Sequence, residues 1–369
     1  MMRVWLLAVA ARGLAPANDL VVRAARCQPV ERTPVWLFRQ AGRHMPEYRE
    51  YKEQTGKQFL ELLKDPLDVA EVTMQPLRRY DVDAAILFSD ILVLAQALGI
   101  DVTMPGGVGI QVPRPIETPD HASYIADLAA HDPEWLVRTN LRHVTRAVTE
   151  IRAAQLREGR DVTLLGFSAA PWTLLYYVLG SSSKKVAPAR DFFKSHPAAC
   201  ERLMDALEDL IVEYLSAQVD HGAHAVQVFE AMAGALDART FSTFAAPRLV
   251  SLAHKFKRRH PDVPLFVFAR GANQEANQAL ASHYDVITLD TTANRRDLRS
   301  KVDCCLQGNL DPKLLVNADA DSPSILEKEV SKMLMDFALG PLIANLGEGL
   351  AGTEDPLLVK AFVDAVHQY

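Results

Sequence analysis

Cysteine is scarce in this sequence, with four residues among 369, at positions 27, 200, 304 and 305. None of them has the C-x-x-C or C-x-x-H spacing that structural zinc sites use, and four thiols do not suggest a disulfide framework. Cys304 and Cys305 are consecutive in an apolar run, so in a strand their side chains would point to opposite faces and could not bind one metal ion. We therefore expect these two to be core residues. We also expect that the protein has no metal site and that it belongs to a reducing compartment.

The sequence also lacks any block of lysine and arginine and any acidic tail. Its 46 acidic and 40 basic residues are interspersed and give a net charge of -6. Such a distribution argues against a nucleic-acid partner. No apolar window approaches the length of a membrane span, so we expect no membrane partner.

The first residues have a different pattern from the rest. "MMRVWLLAVAARG" has a short apolar stretch followed by small residues, which weakly resembles a secretory or organellar leader. A frayed helix or a misplaced start codon would give the same pattern. We predict an extension over residues 1–17 and one domain over residues 18–369. The expected location is cytoplasmic, or a plastid or mitochondrion if the extension is a leader.

Short apolar runs bounded by turn or polar residues recur along the domain. They lie at residues 33–38, 84–90, 162–168, 223–230, 263–270, 285–290, 303–309 and 342–348. Between them lie helix-like segments in which apolar residues recur every three or four positions, at 65–80, 132–159, 196–222, 241–260, 322–339 and 355–369. The chain thus alternates apolar strands with amphipathic helices.

This alternation predicts an α/β fold, a single (β/α)8 TIM barrel whose active-site cleft lies at the C-terminal ends of the strands. A doubly wound open sheet is the alternative, but no G-x-G-x-x-G follows the first strand. "GGVGI" at 106–110 follows Pro105 and is interpreted as a loop rather than a phosphate cradle.

Polar residues follow each apolar run. They are Arg39 and Gln40, Asp90, Ser168, Glu230, Arg270, Asp290, Asn309 and Glu348. In a barrel all of them would face one mouth, which is where the active site of this architecture lies.

Arg39 and Arg43 flank a Gln-Ala-Gly turn after the first run. Their guanidinium groups can pair with carboxylates or phosphates, and Gly42 permits close approach of the backbone, so an anionic ligand is expected. Alternatively, Arg43 pairs with Glu47 at helical spacing and Arg39 pairs with Asp90, which would leave nothing for a ligand.

Asp90 ends an apolar run and would be a carboxylate in a largely apolar setting. Such a group is costly unless donors converge on it. A ligand rich in N–H groups would supply them, and an internal salt bridge to an arginine would do so equally well.

Two further features have ordinary explanations. "GFSAAPWTLLYYVLGSSSKK" at 166–185 ends in serines and lysines that could hold anions or form a lid, and a solvated loop explains them equally well. His221 and His224 straddle a predicted helix end and have no acidic metal-site companion, which favours surface or C-cap roles.

Several longer motifs are specific. "TPVWLFRQAGRHMPEYRE", "QPLRRYDVDAAILFSDILVLAQALG", "GFSAAPWTLLYY", "QGNLDP" and "FVDAVH" occur in this order. With these motifs the chain resembles the uroporphyrinogen decarboxylase family from about Asn18 to Tyr369. The resemblance implies a cofactor-free homodimeric lyase that removes CO2 from the four acetate side chains of uroporphyrinogen III, leaving coproporphyrinogen III in porphyrin and haem biosynthesis.

The resemblance also implies roles for particular residues. Arg39 and Arg43 fall on arginines that bind substrate carboxylates, and Asp90 falls on the aspartate that accepts hydrogen bonds from the pyrrole N–H groups. Tyr177 falls on the tyrosine beside that aspartate. We therefore expect Asp90, Arg39 and Tyr177 to be catalytic. The complete expected substrate site is Arg39, Gln40, Ala41, Gly42, Arg43, Lys52, Asp90, Tyr177, Phe229, Ala231 and Glu348, with no metal ion.

The sequence departs from the family pattern at a few positions. Ala231 stands where the family has serine, Glu348 where it has histidine, and Thr291 where it has tryptophan. The serine loop lacks the family's acidic start and its glycines. Glu348 adds negative charge facing a substrate with eight carboxylates, which should weaken binding unless this carboxyl group is protonated or paired. The lost serine hydroxyl removes one hydrogen bond, worth about 0.5 to 1.5 kcal/mol.

Two alternatives follow from these departures and from the superfamily. One is a weakened paralogue that binds a tetrapyrrole without efficient turnover, although Asp90 and the two arginines are retained. The other is a corrinoid-related methyltransferase with a zinc-bound thiol. The stretch corresponding to its zinc ligands is "FARGANQ", which contains no such ligand.

Overall fold

The computed structural model describes residues 15–105, 109–316, 321–338 and 340–369. Within them a parallel sheet runs in chain order from β1 to β7. The strands are β1 (Ala84–Ile86), β2 (Thr163–Ala169), β3 (Ala225–Glu230), β4 (Leu265–Ala269), β5 (Val286–Thr288), β6 (Cys305–Leu310) and β7 (Leu342–Leu346). Five of them lie within the apolar runs singled out in the sequence, and β2 and β6 each extend one residue beyond their runs, so these strand predictions are confirmed.

The remaining predicted strand, residues 33–38, is not a regular strand but occupies the eighth position of the barrel. Val35 bridges Ala344 of β7 in parallel, and its carbonyl accepts from the Asp83 N–H at 2.8 Å on the β1 side. The ladder is short because side chains satisfy several of this segment's N–H groups. The Asp83 carboxylate accepts from Val35 at 2.9 Å, and the Asn345 carboxamide accepts from Phe38 at 3.0 Å. The predicted (β/α)8 barrel is thus confirmed. Its eighth position is occupied by residues 33–38, which are called the irregular stave below.

Helices connect the strands and cover the outside of the sheet. They are α1 (Leu20–Ala25), α2 (Pro46–Thr55), α3 (Phe59–Leu62), α4 (Pro66–Arg79), α5 (Val93–Ala97), α6 (Pro119–His131), α7 (Pro133–Asn140), α8 (Arg142–Glu158), α9 (Pro171–Val178), α10 (Ala187–Ser195), α11 (Pro197–Asp220), α12 (Ala238–Thr240), α13 (Ala246–Arg259), α14 (Gln274–Leu280), α15 (Arg295–Arg299), α16 (Ser322–Phe337) and α17 (Pro356–His367). Short 3-10 turns cover Ala233–Ala235 and Pro312–Leu315, and a π-turn covers Phe241–Ala245.

Helix starts follow a repeated local rule. Asp65, Asp132 and Asp355 each accept a hydrogen bond from a first-turn N–H, and a proline follows each of them. A capping carboxylate followed by proline stabilises a helix N-terminus. The segment 132–159, predicted as one helical stretch, is divided at Leu141 into α7 and α8.

Two apolar clusters form the core. One fills the barrel interior and comprises Val21, Ala24, Ala25, Trp36, Phe38, Ala84, Leu165, Ala225, Phe266, Phe268, Val286, Cys305 and Ile343. Because α1 contributes three of these residues, it closes the end of the barrel opposite the expected site. The second cluster lies between strands and outer helices and includes Leu164, Val228 and Val267.

Two expectations fall partly or wholly on residues that are not described. The extension, residues 1–17, is described only from residue 15, and the loop 106–110 only at its last two residues. Among the described helices, none combines the length and apolarity needed to cross a membrane.

Candidate active site at the barrel mouth

The polar residues after the strands lie at one end of the barrel, but only some of them are open to a ligand. Arg39 and Glu348 are exposed, and Asp90 and Arg270 are half-buried. The others, Ser168, Glu230, Asp290 and Asn309, are buried and bond to the protein itself. These four therefore lie at the predicted end of the barrel but hold the loops in place rather than being open to a ligand.

Arg39 begins the loop after the irregular stave and has a left-handed backbone, with φ 56°. Residues other than glycine adopt this conformation at a cost of about 1 to 3 kcal/mol, and such strain occurs disproportionately at functional sites. Its side chain passes over Gly349, where an added Cβ would lie 2.7 Å from the Arg39 Cδ. Among the described residues no carboxylate forms an ion pair with Arg39. The guanidinium is exposed and available to an anion.

Arg43 lies four residues further along the same loop. Its Nη2 donates to the Ala351 carbonyl at 2.9 Å, in the loop after β7. The buried Glu354 carboxylate organises that loop by accepting from the N–H groups of Ala351 and Gly352. The alternative pairing of Arg43 with Glu47 is wrong, because Glu47 pairs with Arg79 instead.

The residues between the two arginines differ in accessibility. Gln40 is 1% exposed, and its carboxamide donates to the Ala84 carbonyl and accepts from the Leu37 N–H. Its side chain therefore holds the loop against β1 and is not open to a ligand. Ala41 and Gly42 are half-buried in the turn. Lys52 lies in the last turn of α2 and donates to Gln58 at 3.1 Å, and no described contact joins it to Arg39 or Arg43.

Asp90 is the carboxylate of the mouth. It follows β1, and its Oδ1 accepts from the Leu92 N–H at 2.7 Å. Burial raises the pKa of Asp90 to about 6, and the Leu92 amide and the charge of Arg39 oppose that shift only in part. The alternative salt bridge between Asp90 and Arg39 does not form, although their charges interact. Within the described residues this carboxylate accepts from backbone amides and forms no ion pair.

Tyr177 lies in α9, beside this carboxylate. Burial raises the pKa of its phenol, and the charges of Arg270, Asp90 and Arg39 all act on it. Below them, Phe229 packs on Phe38 and Phe167, with ring centroids 5.5 and 5.6 Å apart. These aromatic rings form an apolar floor that keeps water away from the base of the mouth.

Ala231 follows β3 and is held from two sides. The fully buried Glu230 carboxyl bonds to the Thr173 hydroxyl of α9, and that hydroxyl accepts from the Met232 N–H at 3.2 Å. On the other side the Arg270 Nε donates to the Ala231 carbonyl at 3.0 Å. Arg270 is a charged side chain at the mouth that the expected site does not include, although its position after an apolar run was a signal.

Glu348 and Thr291 are the remaining departures from the family pattern. Glu348 is exposed and has no ion-pair partner in the part of the chain that the structure describes. The pairing with a mouth arginine is therefore not observed among those residues. Thr291 lies against Gly347, where an added Cβ would be 2.5 Å from the Thr291 nitrogen, so a side chain at 347 would separate β7 from this loop.

The histidines and cysteines singled out in the sequence contact backbone groups or pack in the apolar clusters. His221 is the C-cap of α11, as expected, and its Nδ1 lies 2.7 Å from the Ala217 carbonyl. His224 accepts from the Leu164 N–H at 2.9 Å. Cys305 lies in the interior cluster and Cys304 packs on the outer one, in agreement with their predicted opposite faces. The described residues contain no group of three or more potential metal ligands.

Comparison with known proteins shows which family this chain is similar to. Residues 16–369 match the profile of the family described as uroporphyrinogen decarboxylase (URO-D). Uroporphyrinogen decarboxylase of Salinibacter ruber is 42% identical over 355 residues, covering 95% of this chain and 96% of that protein. The Danio rerio protein of the same name is 39% identical over 360 residues and covers 95% and 94%.

A solved structure also resembles the fold. A methyltransferase from Methanosarcina mazei superposes with a TM-score of 0.76 at 18% identity, covering 96% of this chain and 99% of that one. At that identity the likeness concerns the barrel alone. The full-length profile match and the close relatives, together with the arginines and the carboxylate at the mouth, show that the chain belongs to the uroporphyrinogen decarboxylase family.

Proposed function

We propose that this protein decarboxylates the four acetate side chains of uroporphyrinogen III, releasing coproporphyrinogen III and CO2 without a cofactor. The observation that carries the proposal is Asp90, a half-buried carboxylate at an open mouth that forms no ion pair with the nearby Arg39. A ring of four pyrrole N–H groups would supply the donors that this carboxylate lacks. Arg39 and Arg43 lie where the acidic side arms of such a ring would reach.

The reaction needs an electron sink. Loss of CO2 breaks a carbon–carbon bond and leaves an electron pair, which the pyrrole can accept after it has been protonated on carbon. The methylene group then takes up a proton to become a methyl group, and the ring proton is released. Each step therefore consumes one proton and releases one CO2.

In this scheme the negative charge of Asp90 stabilises the positive charge on the pyrrole. A carboxylate already held in place stabilises the pyrrole cation without reorganisation, and the apolar floor around Phe229 strengthens that interaction. Arg39 donates or positions the proton, and Tyr177, beside Asp90, completes the catalytic group. These roles rest on the family resemblance and on the placement of the three residues around one mouth.

The proposal also covers the oligomeric state of the protein, its location and the effect of Glu348. We propose a homodimer in the cytoplasm, as the resemblance implies, and the four unpaired cysteines support a reducing compartment. Glu348 opposes substrate binding, because it adds an exposed negative charge next to Gly349 and Arg39. The protein is accordingly proposed as a working decarboxylase whose turnover this residue reduces.

The test is anaerobic incubation of the purified protein with uroporphyrinogen III, followed by separation of products by carboxylate number. Products with seven to four carboxylates are expected. Asp90→Asn and Asp90→Ala should lose at least about a hundredfold in rate, the size typical of a preorganised electrostatic group. Asp81→Asn is the matched control, because it removes the same charge just before β1, at the opposite end of the strand from Asp90.

Three outcomes would contradict the proposal. Near-native turnover by Asp90→Asn would remove the role of Asp90. Tight binding of uroporphyrin by the unmutated protein with no products would identify a binding paralogue. Stoichiometric zinc in the purified protein would favour the methyltransferase alternative.

A further inference from the structure

Arg270 lies directly across the mouth from Arg39. Arg39 follows the irregular stave at 33–38, and Arg270 follows β4. Counting around the closed barrel, β4 is four positions from that stave in either direction, by way of β1 or by way of β7. Because the residues after parallel strands all lie at one end, these two arginines are on opposite sides of a single opening.

The backbone at Arg270 is fixed on several sides. Its N–H donates to the Glu230 carbonyl at 3.1 Å, and its carbonyl accepts from the Gly234 N–H at 3.0 Å. The next residue, Gly271, donates to the Asp290 carboxylate at 2.7 Å. Gly271 has φ 79° and packs against Gly234 so closely that a side chain there would collide with it. Arg270 therefore projects from a rigid turn.

The guanidinium of Arg270 is only partly used by the protein. Its Nε donates to the Ala231 carbonyl at 3.0 Å. Within the described residues its two terminal nitrogens have no hydrogen-bond acceptor and no carboxylate forms an ion pair with it. A half-buried cation without a counter-ion has lost hydration without gaining a charged partner, which is unfavourable until an anion binds.

The charge of Arg270 acts inside the expected site. After burial, which raises the pKa of Tyr177, Arg270 is the strongest influence on that phenol, ahead of Asp90 and Arg39. Its effect lowers the pKa of Tyr177, which places the positive charge close to the phenol. Arg270 is therefore part of the same opening as Tyr177 and Asp90, on the side where Arg39 and Arg43 are absent.

We propose that Arg270 binds a carboxylate of an acidic side arm on the half of the tetrapyrrole that faces away from Arg39 and Arg43. The inference rests on the proposed function, because a macrocycle with acidic arms all around it needs positive charge on both sides of the mouth. Arg270 supplies that charge next to Ala231, where the serine hydroxyl of the family is missing. It also offsets the negative charge that Glu348 adds on the other side.

The experiment measures binding of uroporphyrin, the stable oxidised macrocycle with eight carboxylates, by quenching of porphyrin fluorescence. Arg270→Gln should raise the Kd at least about tenfold, as expected for loss of a charge-assisted hydrogen-bonded pair. Arg270→Lys should keep most of the affinity, because the charge remains. In the turnover assay Arg270→Gln should raise KM, with kcat changed less than about threefold, since the contact is the same in ground and transition states.

Arg258→Gln is the matched control, because it removes the same charge from the exposed end of α13, away from the mouth, and should leave the Kd unchanged. A Kd for Arg270→Gln within about twofold of the unmutated value overturns the inference. Equal loss of uroporphyrin affinity in Arg270→Lys and Arg270→Gln also overturns it, because that pattern would mean that Arg270 only positions the Ala231 loop. Loss of uroporphyrin affinity by Arg270→Gln in a protein with no turnover would support the contact while rejecting the proposed reaction.

Discussion

Asp90 is the residue on which the proposed chemistry of the mouth depends. A solvated aspartate ionises near pH 4, whereas burial raises the pKa of Asp90 to about 6. The opposing influences, the Leu92 amide and the charge of Arg39, are weaker than burial. The free protein therefore holds a carboxylate that is ionised at neutral pH but loses its charge in mild acid.

This pKa predicts the pH dependence of turnover. Because the proposed reaction needs the ionised form of Asp90, kcat/KM for uroporphyrinogen should fall as the pH drops below about 6. Arg39→Gln should move this acidic limb to higher pH, since it removes a charge that lowers the pKa. Arg43→Gln serves as the control, because Arg43 is not among the groups that shift the pKa of Asp90. An acidic limb near pH 4, or one that Arg39→Gln leaves in place, would contradict the assignment.

The candidate residues were predictable to different degrees. Arg39, Arg43 and Asp90 each follow or adjoin an apolar run, and the sequence pattern was enough to find them. Gln40 has the same position but turns inward, because the irregular stave needs its carboxamide to complete the hydrogen bonds of Leu37 and Ala84. The sequence cannot show which polar side chains are needed by neighbouring backbone groups.

At the scale of elements, the loop after β3 is held to α9 through one buried carboxyl group. Glu230 is fully buried and bonds to Thr173, which in turn accepts from the Met232 N–H. Burial raises the pKa of Glu230 to about 8, although the Thr173 hydroxyl and backbone amides oppose the shift. This carboxyl group is therefore protonated at neutral pH in the folded protein and acts as a neutral link.

Glu230→Gln should accordingly preserve the fold and change its pH dependence. An unfolded glutamate loses its proton near pH 4.5, whereas the folded one keeps it up to about pH 8. Rising pH in this interval thus favours unfolding of the unmutated protein, by on the order of 1.4 kcal/mol for each unit between the two pKa values. The variant should lack this decline, so its stability relative to the unmutated protein should increase from pH 5 to pH 8. Urea denaturation at several pH values measures the difference.

The control for this prediction is Glu208→Gln. Glu208 is also buried, but it pairs with Lys255 at 2.6 Å, so its substitution should lower the stability by breaking an ion pair. Equal pH slopes for Glu230→Gln and the unmutated protein would mean that Glu230 is ionised in the fold.

The regular elements were predictable because their patterns are local. All of the observed strands coincide with apolar runs to within one residue, and the capping aspartates followed by proline mark several helix starts. The division at Leu141 and the irregular stave at 33–38 were not predicted. The irregular stave depends on hydrogen bonds supplied by Asp83 and Asn345, which are distant from it in sequence.

At the scale of the whole molecule, Asp83 joins the parts of the chain that close the barrel. This fully buried carboxylate accepts from Asn18 at 2.8 Å, from Arg32 at 2.7 and 2.9 Å, and from the Val35 N–H at 2.9 Å. His367, at the end of α17, lies 3.2 Å away. The start of the domain, the irregular stave and the last helix thus meet at one side chain.

Asp83→Ala should therefore destabilise the whole barrel. It leaves the Arg32 guanidinium and the Val35 N–H without their acceptor, and breaking a buried pair from one side costs about 3 to 5 kcal/mol. The free energy of unfolding measured in urea should fall by about that amount. Asp81→Ala is the control, because Asp81 is 80% exposed and its loss should change stability by less than about 0.5 kcal/mol. Equal effects of the two substitutions would contradict a closing role for Asp83.

The sequence by itself determined the alternation of strands and helices, the barrel, and the arginines and aspartate of the mouth, because apolar periodicity and strand-end positions are local properties. Only the tertiary structure decided that Gln40, Glu230 and Asp290 turn inward and that Arg270 stands opposite Arg39. Those facts depend on barrel closure, which brings residues more than a hundred positions apart to one opening and determines which polar groups have protein partners and which remain for a ligand.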